Sequence, residues 1–322
     1  RKTRRGFLAP INCIASVEAA CTLPFDEGLQ REQELFQELH DSVQSAAQQH
    51  IFFSERAASK VNDMPKDVGL YDIKHVGVIG AGTMGGGIAM NFANVGIPVT
   101  LLEVKQEYLD KGLQVVRDNY ERTAKKGRIS AAEVEERMGL ITPTLDYADL
   151  AEVDMVIEAV YENMDLKKEV FGKLDEVAKP ECILATNTST LDVDAIAAVT
   201  KRPEMVIGTH FFSPANVMKL LEIVRGQKTS FATLATTLAV AKVIKKIGVV
   251  VGVCDGFVGN RMIHQYLAQS QYLLEEGSLP HEVDTPIYDL GFAMGPLTMS
   301  DLAGLDVGWR IRQGKGLPGS LL

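Results

Sequence analysis

The stretch His75-Val-Gly-Val-Ile-Gly-Ala-Gly-Thr-Met-Gly-Gly-Gly-Ile-Ala-Met90 decides the fold class of this chain. An apolar run, Val76 to Ile79, stops at Gly80, and apolar residues return at helical spacing after Thr83. That pattern describes a buried strand turning sharply into a helix, with Gly80, Gly82 and Gly85 in G-x-G-x-x-G register and Thr83 and Met84 between them. The three glycines have separate tasks: a tight turn, close backbone approach to a pyrophosphate, and close helix–strand packing. The N–H groups at the helix start would face the phosphates, where the helix dipole favours negative charge. A second strand, Pro98-Val-Thr-Leu-Leu-Glu103, follows and ends in an acid about twenty residues beyond the glycines. Glu103 is thereby expected to hold the adenosine ribose hydroxyls and to favour NAD over NADP. The plain alternative for Glu103 is a solvated strand end.

Working outward, 322 residues leave room for two domains and a sizeable core. A net charge of −9 argues against a nucleic-acid binder, which needs a basic face, although an anionic ligand could still bind at a local basic patch. The cysteines Cys13, Cys21, Cys182 and Cys254 have no metal or redox spacing. Cys182 and Cys254 lie in apolar, strand-like contexts and are expected to be reduced and buried. No apolar run reaches membrane-spanning length. Thr3-Arg-Arg-Gly-Phe-Leu8 superficially resembles an export signal, but Asn12, Ser16 and Glu18 stand where its apolar core should be. The first residue is Arg, which suggests a fragment or a processed chain.

Residues 1–72 are Gln-, Glu- and Ala-rich and read as one amphipathic linker helix, between Glu27 and about Ser59, after a Pro-containing loop. From Lys74 strands and helices alternate, which predicts an α/β fold: a doubly wound, mostly parallel Rossmann-type sheet over residues 73–255. After Cys254-Asp-Gly-Phe-Val-Gly the pattern is helical, giving an all-α domain over 256–322 whose tail, from Gly314, has no closing element.

Three polar stations stand at carboxyl ends of strands, where open α/β sheets bind ligands. They are Thr186-Asn-Thr-Ser-Thr190, His210 after the Met205 strand, and Asn260 at the start of the helical domain. Glu222 lies on the apolar run Leu220-Leu-Glu-Ile-Val224, where a carboxylate is costly to bury without a partner. A histidine is a natural partner, since the carboxylate fixes the imidazole tautomer and stabilises an imidazolium. Spacing alone leaves this pair and a solvent-facing Glu222 on an edge strand evenly matched.

Taken together, Gly80-Ala-Gly-Thr-Met-Gly85, Thr186-Asn-Thr-Ser-Thr190, His210-Phe-Phe-Ser-Pro214 with Met218-Lys-Leu-Leu-Glu222, and Asp255-Gly-Phe-Val-Gly-Asn-Arg261 resemble the 3-hydroxyacyl-CoA dehydrogenase family in order and spacing. Met294-Gly-Pro-Leu-Thr-Met-Ser-Asp301 and Gly304-Leu-Asp306 resemble its carboxy-terminal domain. Ser213 departs from the Asn found in many relatives. Gly6-Phe-Leu-Ala-Pro10, Val17-Glu-Ala-Ala20 and Gln49-His-Ile-Phe-Phe-Ser-Glu-Arg56 resemble the linker that follows the hydratase/isomerase half of multifunctional β-oxidation proteins.

The resemblance implies NAD-dependent oxidation of (3S)-3-hydroxyacyl-CoA. His210 would take the hydroxyl proton, Glu222 would orient it, and Ser189 and Asn260 would bind the substrate oxygens. The alternative for Ser189 and Asn260 is helix capping. By the same match Glu162 and Lys167 line the cofactor cleft, although Lys167 could be an ordinary surface lysine. Lys125-Lys126-Gly-Arg128 is the candidate cation cluster for the phosphates of CoA, or else simply a solvated helix end. The partners expected are acyl-CoA and either a second copy or a hydratase domain. Bacterial cytoplasm is the expected location, with peroxisome and mitochondrion also compatible. Two other readings compete: a dehydrogenase of small unconjugated hydroxy acids, and a non-catalytic dinucleotide-binding protein of the λ-crystallin type. The His210–Glu222 pairing weighs against the first, and the full set Ser189, His210, Glu222 and Asn260 against the second.

Overall fold

The computed structural model describes residues 5–305 and Trp309, so Asp306 and the tail from Gly314 lie outside the described residues. The chain opens with α1 (Ala9–Thr22), α2 (Phe25–His40) and α3 (Val43–Ala58). Then follow β1 (Val76–Ile79), α4 (Thr83–Ala93), β2 (Val99–Leu102), α5 (Gln106–Lys125), α6 (Ala131–Gly139), β3 (Ile141–Thr144) and β4 (Met155–Glu158). The sheet continues with α7 (Met164–Val177), β5 (Ile183–Thr186), α8 (Val193–Ala197), β6 (Val206–Phe211), β7 (Leu220–Arg225), α9 (Phe231–Val243) and β8 (Ile247–Gly252). Last come α10 (Gly259–Glu275), α11 (Pro280–Leu290) and α12 (Pro296–Ala303). By compactness the chain forms two units, residues 55–258 and residues 1–54 with 259–322.

The first unit is built on strands too apolar for a one-sided sheet. Every residue of β1, β2, β4 and β5 is buried, which requires helices on both faces and therefore parallel strands with crossovers. The strand order is β3-β2-β1-β4-β5-β6-β7-β8, parallel except that β7 runs antiparallel to β6, with β8 parallel to β7. One core lies on the side of α4, with Val76, Val78, Ile88 and Phe92, and the other on the side of α7, with Ile79, Val156, Phe171 and Leu174. The order reverses between β1 and β4, so the crevice for a ligand opens beside the Gly-rich turn. Local signals close the elements. Ser130 and Glu133 form a reciprocal capping box at the start of α6. Asp154 accepts the backbone N–H groups of Lys74 and His75, which fixes the chain just before β1.

Three expectations need correction here. Residues 9–58 form three helices, not one. Pro24 cannot continue α1 and stands at the N-cap of α2, and after α2 ends at His40 the Ser42 hydroxyl accepts the Ser45 N–H to restart the backbone. His210 lies within β6, which runs on to Phe211, and does not follow the strand. Cys254 is exposed because β8 ends at Gly252, whereas Cys182 is buried and burial pushes its thiol up to about 12.

In the other unit, α1 and α2 pack through Ala19, Gly28 and Leu35, and the Asn12 side chain donates to Leu35 O at 3.3 Å. Asp284 on α11 accepts Leu297 N at 2.9 Å and Thr298 N at 2.8 Å, capping α12 with a carboxylate from its neighbour.

Candidate functional site

The Gly-rich turn is closed by steric need. Gly80 has φ +99°, and a Cβ there would stand 2.8 Å from Ala159 O. A Cβ on Gly85 would lie 1.7 Å from Gly80 O, so only glycine lets α4 leave β1 this tightly. Gly112 on α5 allows a further approach, since a Cβ there would meet Ala81 O at 2.2 Å. Gly82 is different: a Cβ on it would meet nothing within 4 Å. That open approach, next to the first-turn N–H groups that a helix cannot satisfy internally, fits a pyrophosphate. Thr83 begins α4 and is exposed, and Met84 is half-buried behind it. Glu103 follows β2, and its two oxygens accept Ala81 N at 2.9 Å and Val104 N at 2.7 Å. The acid therefore stands directly at the turn, with lone pairs left for hydroxyl donors. These residues together fit NAD.

Beside the turn lies a charged network. Glu158, at the end of β4, is 0% exposed and Lys167 on α7 is 1% exposed. Their Oε1–Nζ distance is 2.7 Å. Lys167 is thus no surface lysine, and its charge is neutralised within the fold. Glu158 also accepts Val160 N at 2.8 Å and, on Oε2, the Thr186 hydroxyl at 2.7 Å. Glu162 stands 3.4 Å from Lys167 through Oε2. Its Oε1 accepts Thr188 Oγ1 at 2.6 Å, Ser189 N at 2.8 Å and Thr190 N at 3.2 Å. Asn187 Oδ1 accepts Phe211 N at 2.9 Å, which ties this turn to the end of β6. Asp192, not Ser189, caps α8.

The antiparallel pairing of β6 with β7 sets His210 directly opposite Glu222. His210 Nδ1–H donates to Glu222 Oε2 at 2.7 Å, and both residues are buried. An ionised carboxylate only accepts, so Nδ1 carries the proton and Nε2 presents its lone pair. Because β7 is bonded on both sides and Glu222 is 1% exposed, the solvent-facing edge-strand alternative fails. Val258 N donates to Glu222 Oε1 at 3.0 Å. Phe257, fully buried with φ +46°, stands between Cys254 and Val258, and its ring centroid is 5.7 Å from that of His210. Phe212 flanks the imidazole at 4.5 Å. A non-glycine residue held in the left-handed region is costly, and such strain concentrates at functional sites. The segment after β6 is clamped in turn. Asn91 Nδ2 donates to Ala215 O, and Lys246 Nζ donates to Ala215 O at 2.6 Å and Met218 O at 2.7 Å. Burial lowers the Lys246 ammonium from its ordinary value.

Ser189 is half-buried in the turn held by Glu162. Asn260 lies in the first turn of α10, in the second unit, inside the helix and not ahead of it as a cap. Lys125, Lys126 and Arg128 are exposed at the far end of α5, about 30 Å along a 20-residue helix from its start near Glu103. Glu158 escaped the reading of the sequence, and Asn187 was read only as part of the polar station 186–190 with no role of its own. A charged residue closing the apolar run Met155–Ile157 is the signal that marks Glu158. Among the described residues no acid, His and Cys cluster could hold a metal ion, and no helix is long and apolar enough to cross a membrane.

Comparison with known proteins gives the same picture. Residues 75–254 match the family model "3-hydroxyacyl-CoA dehydrogenase, NAD binding domain", and residues 256–319 match "3-hydroxyacyl-CoA dehydrogenase, C-terminal domain". The chain is 48% identical to the peroxisomal bifunctional enzyme of Cavia porcellus, with 100% of this chain and 45% of that protein aligned. It thus spans less than half of that relative. The (S)-3-hydroxybutyryl-CoA dehydrogenase PaaH1 of Ralstonia eutropha superposes with a TM-score of 0.71 at 35% identity, covering 75% of this chain and 86% of that one. The dehydrogenase part of C. elegans multifunctional enzyme 1 gives 0.64 at 36% identity, covering 84% and 64%.

Proposed function

Since the chain belongs to the 3-hydroxyacyl-CoA dehydrogenase family, we propose that it oxidises (3S)-3-hydroxyacyl-CoA to 3-oxoacyl-CoA with His210 as the base. The observation that carries this reading is the buried His210–Glu222 pair, 2.7 Å apart on adjacent strands at the end of a dinucleotide-type sheet. NAD, held at Gly80, Gly82, Gly85 and Glu103, would supply the acceptor for the hydride that leaves C3 of the substrate. His210 Nε2 takes the proton of the 3-hydroxyl group. Glu222 holds Nδ1–H throughout and stabilises the imidazolium as it forms, while Val258 N–H keeps the carboxylate from turning. Ser189 and Asn260 donate to the substrate oxygens and set the approach of the hydroxyl group to His210. Phe212 and Phe257 keep water from the imidazole. Glu103 holds the ribose, Glu162 and Lys167 shape the cofactor cleft, and Lys125, Lys126 and Arg128 bind the phosphates of CoA.

Residues 73–255 are proposed as the NAD domain and 256–322 as the helical substrate domain, with residues 1–72 joining them to a hydratase domain in a longer protein. Packing against that domain, or pairing of two copies, belongs to the same proposal. The likeness to the peroxisomal enzyme of Cavia porcellus favours a peroxisome over the bacterial cytoplasm expected from the sequence.

The test is NADH formation from NAD and short- and medium-chain (3S)-3-hydroxyacyl-CoA, with NADP and a free hydroxy acid as controls. Turnover confined to the CoA esters with NAD is expected. His210→Ala should abolish it and leave NAD affinity within about threefold. Unchanged turnover in that variant would remove His210 from the reaction.

A further inference from the structure

We propose that Glu158 is a positioning residue: by holding the charge of Lys167, it reserves Glu162 for the turn that carries Ser189. The proposal rests on the dehydrogenase reading, because the placement of Ser189 matters to rate only if Ser189 meets the substrate. Glu158 is in register with Ile79 of β1 on one side and Thr186 of β5 on the other. It therefore adjoins both the strand that enters the Gly-rich turn and the strand that leads to Ser189. Two carboxylates compete for one buried ammonium. Glu158 wins the short contact, 2.7 Å against 3.4 Å for Glu162. The outcome leaves Glu162 Oε1 to gather four donors from Thr188, Ser189 and Thr190. Burying a carboxylate and an ammonium in a sheet core is no better for stability than well-packed apolar residues, so stability alone gives no reason for the pair. Thr186 reinforces the arrangement, since its hydroxyl donates to Glu158 Oε2 and accepts Thr188 N at 3.3 Å.

Neutralising Glu158 leaves Lys167 buried with Glu162 as its remaining carboxylate. The ammonium then draws Glu162 inward, the turn at 188–190 loses its acceptor, and Ser189 moves from its working position. Neutralising Lys167 as well removes the pull, and Glu162 returns to the turn. Glu158 thus acts on the reaction through charge balance, without touching substrate.

The experiment compares the unmodified chain with Glu158→Gln and with the double variant Glu158→Gln/Lys167→Met. Hydrogen–deuterium exchange of the segment 186–191 is read beside kcat and KM at saturating NAD. For Glu158→Gln the expected result is a fall in kcat of about 10- to 100-fold, with KM for the acyl-CoA within about threefold. Exchange at 188–190 should quicken while the β1 segment 76–79 keeps its protection. The double variant should recover most of the protection at 188–190. A double variant that folds yet exchanges at 188–190 no more slowly than Glu158→Gln overturns the proposal. So does a Glu158→Gln chain with unchanged exchange at 188–190. If Glu158→Gln does not fold, near-parental exchange at 188–190 in the double variant supports the proposal, and fast exchange there overturns it. Absence of turnover in the unmodified chain would sink the dehydrogenase reading alone, because the exchange measurement decides the Glu158 arrangement without it.

Discussion

Replacing Glu222 by glutamine tests the proposed base more sharply than deleting the base itself. Both oxygens of Glu222 face donors: Oε2 accepts His210 Nδ1–H at 2.7 Å and Oε1 accepts Val258 N–H at 3.0 Å. Glutamine has the same length but one carbonyl oxygen and one NH2 group, so in either orientation a donor faces a donor. With its oxygen toward His210, the imidazolium loses its charged partner. A charged hydrogen bond exceeds a neutral one by about 1–2 kcal/mol, and an unsatisfied Val258 N–H adds strain, giving a loss of about 30-fold. With its oxygen toward Val258, the amide NH2 points at Nδ1, and the proton must move to Nε2. That tautomer cannot act as the base, and in serine-protease triads the corresponding error costs ~10,000-fold. The expected kcat lies between these limits, with KM for acyl-CoA changed by about threefold at most. The assay is steady-state NADH formation across pH, with thermal melting to show that the variant folds. A folded variant within about threefold of the parental kcat would refute the whole chain of reasoning from the β6–β7 register to the tautomer.

The other predictions rest on different contacts. Gly85→Ala sets a Cβ 1.7 Å from Gly80 O, so the strand–turn–helix cannot close; NAD binding should be lost, and calorimetric titration with NAD checks it. Lys126→Glu should raise KM for acyl-CoA by about tenfold at low salt, with the effect shrinking as salt screens it and kcat unmoved; a salt-independent KM equal to the parental value would remove this cluster from CoA binding. Burial alone would raise the Asp154 pKa, but Lys179 and the backbone N–H groups of Lys74 and His75 outweigh it and hold the carboxyl below its ordinary value of 3.8. A lowered folded-state pKa stabilises the fold above the unfolded value, and that contribution is lost as pH falls through the folded value. Asp154→Asn should therefore reduce stability by about 1–2 kcal/mol near neutrality, with the gap closing in acid, as urea unfolding at several pH values would show.

The parts of the site legible in the sequence are those whose reason is local or chemically forced. Gly80, Gly82, Gly85 and Glu103 belong to one strand–turn–strand path, and the apolar periodicity on each side places them. Glu222 could be matched with His210 because a carboxylate inside Leu220–Val224 demands a partner. Glu158 demands one equally, but its partner sits nine residues on, on an amphipathic helix beside a second lysine, Lys168, and there Lys167 looks like a surface lysine. Asn187 was hidden for another reason: its acceptor role toward Phe211 exists only once β5 and β6 lie side by side. At the amino end the helical rhythm crosses Asp41 and Ser42 without interruption in hydrophobicity, so the breaks between helices depend on capping bonds that periodicity does not register.

The strand reversal at β7 also bears on how the molecule acquires its chemistry. Because base and carboxylate are cross-strand partners, a slip of one residue in their ladder would turn one of them to the opposite face of the sheet. The imidazole cannot be misaligned in a chain whose ladder is intact, nor aligned in one whose ladder is not. During refolding, recovery of turnover should consequently run in step with formation of the β6–β7 ladder, and no later side-chain adjustment should separate the two.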